Sequence, residues 1–154
     1  NNTRKFLNDV RSDYIDEIIK PMILKKAVDL VNQHKEAGDR LLIITATNSF
    51  ITKPIGELFG IDELIGTDPE EHVGEFTGKV NGTPSFKEGK VTRLFDWLDE
   101  KNLKLADFEK TFFYSDSHND LALLEVVTNP VVVNGDKILL EKAQEKNWPK
   151  LNLK

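Results

Sequence analysis

Residues 111–120 carry the side chains of this sequence whose types and spacing could do chemistry. Four uncharged, β-prone residues are followed by Ser-Asp-Ser-His-Asn-Asp, so carboxylates occupy positions 116 and 120 with the carboxamide of Asn119 between them. In open α/β sheets, ligands bind where such buried strands end. Mg²⁺ typically takes one or two carboxylates, with water and phosphate completing its shell. The alternative is a strand-to-helix turn that Asp116 or Ser117 caps.

Two further residues could contribute to such a site. Thr45 directly follows the apolar run 41–44, and its hydroxyl, with free backbone N–H groups at the next helix start, could hold a phosphate oxygen. A simple capping turn is the alternative there. Lys90 opens a later helix beside its apolar positions, where a cation is unfavourable for the helix dipole. That local disadvantage suggests a functional demand, although an ordinary surface lysine would give the same pattern.

The elements that must position these residues alternate between helix and strand. Apolar periodicity, caps and stop signals predict helices over about 3–19, 23–38, 48–60, 91–98, 121–126 and 137–146. Apolar runs predict strands at 41–44, 64–65, 111–114 and 130–133. Glycines punctuate residues 67–83, which predicts a small β-hairpin or flap, with a solvated turn at 68–71. Repeated strand-helix units predict an α/β fold with a doubly wound, mostly parallel, Rossmann-like sheet.

Composition limits the possible classes of protein. The 154 residues suffice for one domain with a real core. The net charge of −5, without a basic cluster, argues against a nucleic-acid partner. The absence of cysteine fits a reducing compartment, and no apolar run approaches the roughly 18 residues of a membrane span. We therefore expect a cytoplasmic protein that binds neither nucleic acid nor membrane.

Taken in order, Thr45, Lys90 and residues 115–120 resemble the second, third and fourth motifs of the haloacid dehalogenase-like phosphohydrolases. The fourth motif is similar to the Gly-Asp-Gly-x-Asn-Asp of the phosphoserine phosphatase-like subgroup. This sequence keeps Asp116, Asn119 and Asp120 and has serine at both glycine positions. The resemblance extends from about residue 20 to the end of the chain.

The resemblance implies a Mg²⁺-dependent phosphatase that acts on a small phosphorylated metabolite through an aspartyl-phosphate intermediate. Asp116 would coordinate Mg²⁺, and Asp120 would be a second acidic group at the metal. The implied phosphate-binding residues are Thr45, Ala46, Lys90 and Asn119. Phosphoryl transfer needs this kind of positioning and positive charge around the phosphoryl oxygens. Phosphoserine is a reasonable first substrate to test.

The first motif of the family, Asp-x-Asp at the end of a strand, is missing from these residues. Asp13 and Asp16 lie in a helical pattern without a preceding strand and are not substitutes. We therefore expect a C-terminal part of a longer phosphatase, in which 1–20 end a helical cap domain and 21–154 form a core without its first strand. Its partner would be the missing N-terminal segment, and this chain alone would be inactive. The alternative is a non-catalytic α/β module with an anion-binding crevice.

Overall fold

The computed structural model describes residues 2–154, which form two compact units. The first unit ends at Pro84 and the second is Ser85–Lys154. The first unit opens with α1, Arg4–Tyr14, where the Thr3 side chain accepts a hydrogen bond from the Phe6 N–H as N-cap. The helix continues without a break through a π-helical turn, Ile15–Ile19, and the short α2, Lys20–Met22.

The break between the first two predicted helices lies two residues beyond Pro21. Pro21 sits near the N-terminus of α2, where a missing N–H does little harm. The chain becomes extended at Ile23 and Leu24, and α3 then runs over Lys25–Glu36. The prediction that the second helix begins at Ile23 was therefore wrong by two residues.

The first unit contains a pair of parallel strands. β1, Ile43–Asn48, pairs with β2, Leu64–Thr67, and α4, Ser49–Leu58, connects them. The strand begins two residues later than predicted and continues to Asn48 instead of ending at residue 44, so Thr45 lies within it rather than after it. β3, Pro69–His72, and β4, Glu75–Val80, form an antiparallel hairpin, which confirms the predicted flap. The predicted turn at 68–71 was wrong, because most of it is strand β3.

The second unit contains a three-stranded parallel sheet in the order β5-β6-β7. Its strands are β5, Phe112–Ser115, β6, Asn129–Val133, and β7, Lys150–Leu151. Its α-helices are α5, Glu88–Glu100, α6, Leu121–Leu124, and α7, Lys137–Lys146. Two 3-10 turns occur at Leu105–Asp107 and His118–Asp120. The buried core cluster consists of Leu124, Val132, Leu139 and Ala143.

This architecture confirms the predicted α/β class with parallel strands and intervening helices. Both parallel sheets follow the strand-helix-strand pattern that the sequence predicts. The 3-10 turn at Leu105–Asp107 and strand β7 were not predicted. The division into a cap remnant at 1–20 and a core at 21–154 stays a prediction. None of the helices in residues 2–154 is both long and apolar enough to cross a lipid bilayer.

Candidate active site

Lys90 is buried because of its position on α5. Residues 90, 94 and 98 recur every four positions, and Lys90, Leu94 and Leu98 are the buried residues of this helix. Lys90 is only 6% exposed, and its Nζ lies 2.5 Å from Asp120 Oδ1. A buried ammonium needs a compensating charge, which Asp120 supplies. Lys90 therefore belongs to the apolar stripe itself, and Asp120 compensates the unfavourable position of a cation in the first turn of this helix.

Asp120 is held from both of its oxygens. Oδ1 pairs with Lys90, and Oδ2 accepts a hydrogen bond of 2.6 Å from the Ser115 hydroxyl. Ser115 Oγ in turn accepts the Ser117 N–H at 3.1 Å. Ser115 and Asp120 are each 7% exposed. Lys90 and Asp120 neutralise one another, Ser115 donates to Asp120, and all three residues are buried; we call them the lysine–aspartate cluster.

Asp116 differs from Asp120 in both exposure and partners. Asp116 directly follows β5 and is exposed. Its carboxylate has no hydrogen bond or ion pair with any described residue. An exposed carboxylate with free lone pairs is a suitable oxygen ligand for Mg²⁺. Within residues 2–154 no group of three or more acidic, histidine or cysteine side chains forms a metal cage. The exposed, unpaired Asp116 carboxylate fits a hydrated Mg²⁺ that takes one or two carboxylates as ligands.

Ser117 caps the turn that carries the rest of the motif. Its Oγ accepts the backbone N–H of Asn119 and the Asn119 side-chain N–H, both at 3.2 Å. The capping interpretation of this segment is thus correct, and it coexists with the exposed Asp116. The roles of Asn119 in phosphate binding and of Asp120 at the metal stay predictions, because the Asn119 bonds are internal to the loop and the Asp120 carboxylate is paired with Lys90 and Ser115.

Thr45 and Ala46 belong to the first unit, where β1 departs from regular pairing. Ile44 pairs with Ile65 and Asn48 with Thr67, so three residues of β1 face only Gly66. Within this bulge Thr45 Oγ1 accepts the Thr47 N–H at 3.1 Å, while Ala46 and Thr47 are exposed. Bulges commonly occur beside active sites, where they redirect the backbone.

The first turn of α4 directly follows this bulge and is tightly packed. Asn48 Oδ1 accepts the Phe50 N–H at 2.8 Å, which confirms the predicted N-cap. A Cβ at Gly66 would lie 3.0 Å from the Ser49 Cα, so only glycine lets β2 approach the helix start this closely. The bulge therefore leads directly into a firmly packed helix N-terminus.

An arginine of α1 binds the same helix turn. Pro54 lies inside α4 and cannot donate to the Phe50 carbonyl, which Arg11 Nη1 instead contacts at 2.8 Å. The Arg11 guanidinium also lies over the Phe50 ring, 4.1 Å from its centroid. Arg4 lies over the same ring at 5.0 Å. Neither arginine was identified from the sequence, although a proline inside a predicted helix signals a carbonyl in need of a donor.

Comparison with known proteins identifies the family. The sequence profile of the haloacid dehalogenase-like hydrolases matches residues 3–125. The chain belongs to this family. A histidinol-phosphatase of Neisseria meningitidis is 46% identical over 153 residues, 99% of this chain and 69% of the relative. A phosphoserine phosphatase of Mycobacterium tuberculosis is 32% identical over 133 residues, 86% of this chain and 42% of the relative.

A solved structure is also similar to this haloacid dehalogenase-like chain over almost its whole length. A protein of unknown function from Bordetella pertussis superposes with a TM-score of 0.98 at 44% identity, covering 99% of this chain and 69% of that one. The chain spans about half the length of several other curated relatives. The phosphatases among the relatives agree with the phosphoserine phosphatase-like subgroup that the motifs indicate.

Within this family member, the most informative residue not identified from the sequence is Asp136. Its Oδ2 accepts the His118 N–H at 2.7 Å and lies 2.9 Å from His118 Nδ1. Its Oδ1 accepts the Leu139 N–H at 2.9 Å as N-cap of α7. Desolvation raises the pKa of Asp136, but the bonds from Leu139 and His118 outweigh it and lower this pKa to about 2. An aspartate directly before a predicted helix indicates an N-cap, but no local pattern indicates the contact with His118, 18 positions earlier.

Proposed function

We propose that the intact protein is a Mg²⁺-dependent phosphatase that hydrolyses small phosphate monoesters through an aspartyl-phosphate intermediate. The observation that carries the proposal is the lysine–aspartate cluster beside the free Asp116 carboxylate. A buried, fixed cation and an adjacent unpaired acid are the two kinds of group that phosphoryl transfer uses. The histidinol-phosphatase and the phosphoserine phosphatase described above support the same reaction class.

Each residue has a defined part in this proposal. Asp120 takes one of the three ammonium donors of Lys90, so two remain for anionic oxygens of substrate and nucleophile. Thr45 and the exposed backbone of the β1 bulge at Ala46 bind the phosphoryl oxygens, and Asn119 donates a further hydrogen bond. Asp116 holds Mg²⁺, with Asp120 as the second acidic group near it. The bound Mg²⁺ would neutralise phosphoryl charge and orient the ester.

The nucleophile must come from outside these residues. No Asp-x-Asp occurs in the sequence, so we propose that a preceding segment supplies a strand with this motif. Two observations support such a partner. Among residues 2–154, β1 pairs only with β2, and β5 pairs only with β6, so each has an edge that a strand could extend.

The second observation is an exposed apolar stripe on the opening helix. Its members recur every fourth residue and are 43–69% exposed: Phe6, Val10, Tyr14, Ile18 and Met22. Apolar residues aligned on one helix face normally pack against another element. We therefore assign this stripe to the interface with the missing part of a helical cap. As part of the same proposal, the absence of cysteine favours a cytoplasmic protein.

The comparisons change which substrate should be tested first. Phosphoserine was the first compound suggested by the motifs. The 46% identical histidinol-phosphatase makes histidinol phosphate the stronger first candidate. Both compounds are monoesters of a primary alcohol on an amine-bearing carbon chain, so testing them side by side, together with an aryl phosphate, separates general phosphatase activity from specificity.

The test is hydrolysis of these three compounds by the intact protein, with Mg²⁺ and with chelator. We expect Mg²⁺-dependent activity that falls by about a hundredfold or more in Asp116→Asn and in Lys90→Ala. Asp96→Asn and Lys110→Ala are matched controls, because both residues are exposed and have no partner among the described residues. Full activity in either active-site variant would refute the assignment. The 154-residue chain alone should not turn over.

The second candidate is a non-catalytic α/β module that binds an anion. The lack of Asp-x-Asp in the sequence is the observation that favours it. Calorimetry showing phosphate binding that does not depend on Mg²⁺ would support this alternative, provided that no Asp-x-Asp strand is encoded upstream of residue 1. An encoded strand of that kind, with Mg²⁺-dependent turnover, would exclude it.

A further inference from the structure

We propose that Asp136 is a positioning residue that holds the Asp116 loop in the geometry needed to bind Mg²⁺. The inference rests on the proposed function, because it takes Asp116 as the metal ligand. It assigns a role to a residue outside all of the family motifs. Asp136 follows β6 and reaches the loop through its own backbone N–H and through its side-chain carboxylate.

The contacts of Asp136 lie on both sides of Ser117. Its backbone N–H donates to the Asp116 carbonyl at 2.8 Å. Its Oδ2 accepts the His118 N–H at 2.7 Å and the His118 ring N–H at 2.9 Å. The residues immediately before and after Ser117 are thus both tied to one amino acid. These bonds restrain the loop backbone on both sides of Ser117.

Asp136 is itself held firmly. Its Oδ1 caps α7 through the Leu139 N–H, and Leu139 is fully buried. The nearby Asn134 donates from its side chain to Asn152 at 2.8 Å, and its backbone N–H donates to the Leu151 carbonyl at 3.1 Å. At Gly135 a Cβ would lie 2.5 Å from Val132 Cγ1, so the loop lies directly on the core. Asp136 therefore connects the Asp116 loop to the segment that follows β6 and is bonded to β7.

Asp116 needs such support because its own side chain receives none. Its carboxylate is exposed and without a partner among residues 2–154, so the position of the loop backbone, from which the side chain rotates, limits where its oxygens can lie. Partners that orient a metal ligand typically contribute about 10–100-fold to metal affinity. We expect Asp136 to contribute within this range.

The test is the Mg²⁺ dissociation constant of the intact protein, measured by isothermal titration calorimetry. Asp136→Ser keeps an N-cap for α7 but is too short to reach His118. We expect it to weaken Mg²⁺ binding by about tenfold to a hundredfold. The matched control is Asp107→Ser, because Asp107 also caps a turn of the second unit, accepting the Lys104 N–H at 2.7 Å. Its Mg²⁺ affinity should equal that of the wild type.

A second variant covers the case in which Asp136→Ser does not fold. Asp136→Asn keeps the shape of the side chain but replaces one oxygen with an NH₂ donor, so it can accept from Leu139 on the Oδ1 side or from His118 on the Oδ2 side, but not from both. It should also weaken Mg²⁺ binding, and its activity should recover at saturating Mg²⁺ with an unchanged substrate KM. Because bound metal also stabilises a weakened fold, the folded fraction of each variant is measured by circular dichroism in parallel, and the loss of Mg²⁺ affinity must persist under conditions where the variant is fully folded without metal.

The outcomes separate the inference from the function on which it rests. If Asp116→Asn binds Mg²⁺ like the wild type, the proposed function fails. If Asp116→Asn loses Mg²⁺ binding while both Asp136 variants keep wild-type affinity, the positioning role is overturned and the proposed function stands. Weakened binding in the Asp136 variants, with Asp107→Ser unchanged, supports the positioning role.

Discussion

Replacing Lys90 by methionine should destabilise the protein strongly, because it leaves a buried carboxylate without its cation. Methionine is similar in length and apolar, so the packing beside Leu94 and Leu98 is largely kept. The substitution removes the ammonium group of Lys90, which lies 2.5 Å from Asp120 Oδ1. The Ser115 hydroxyl would remain as the donor to the other oxygen, at 2.6 Å.

The expected size follows from the burial of the pair. The side chains of Lys90 and Asp120 are only 8% and 10% exposed, so solvent cannot replace the lost partner. Breaking a buried pair on one side typically costs about 3–5 kcal/mol. That is about two to four powers of ten in the folding equilibrium, and a large share of the roughly 5–15 kcal/mol that stabilises most proteins.

The assay is urea unfolding followed by circular dichroism, applied to a double-mutant cycle. Its members are the wild type, Lys90→Met, Asp120→Asn and the double variant. Because the double variant buries no unpaired charge, it should lose less free energy of unfolding than the two single variants added together. Lys110→Met, at an exposed position, should stay within about 0.5 kcal/mol of the wild type.

Two results would refute this reasoning. One is a Lys90→Met variant as stable as the Lys110→Met control, which would mean that water reaches Asp120 freely. The other is strict additivity in the cycle, which would mean that Lys90 and Asp120 contribute independently. Either result would also remove the main support for a fixed cation in the proposed active site.

Three further predictions concern other parts of the chain. The Asp136 pKa is lowered from 3.8 to about 2, so its carboxylate stabilises the fold above about pH 4 and this contribution disappears towards pH 2. Partial exposure keeps the effect small. Between about pH 4 and pH 2, the free energy of unfolding measured with urea should fall less in Asp136→Asn than in the wild type. Gly66→Ala should cost about 1–3 kcal/mol in thermal unfolding, because its Cβ meets the Ser49 backbone at 3.0 Å. Val10→Glu should be nearly neutral in this chain, where Val10 is 47% exposed, and clearly destabilising in the intact protein.

Local signals in the sequence predicted the elements around the site well. The Asn48 cap and the bounds of α7 agree with the structure, because each depends on residues within one helical turn. The glycine-punctuated flap was also predicted. Lys90 was placed beside the apolar stripe of α5 from helical periodicity alone, and the structure places it within that stripe.

Contacts between distant residues account for what was not predicted. β1 begins at Ile43 because pairing with Leu64 decides where the strand starts, and no local feature marks that residue. Residues 69–72 are strand because β4 pairs with them, although their charges suggested a solvated turn. Asp136 and His118 meet only after β5 and β6 pair, so neither residue alone indicated the contact.

The serines at positions 115 and 117 show how this chain departs from the glycine motif of its subgroup and still forms a hydrogen-bonded loop around Asp116. A carboxylate buried beside one lysine still has an oxygen that requires a donor. Ser115 provides it, and the same hydroxyl accepts the Ser117 N–H, which a glycine at 115 would leave without this acceptor. Ser117 then caps the turn that returns the chain to Asp120. Both substitutions therefore add hydrogen bonds to the loop that presents Asp116, and they raise the rigidity of that loop where glycine would lower it.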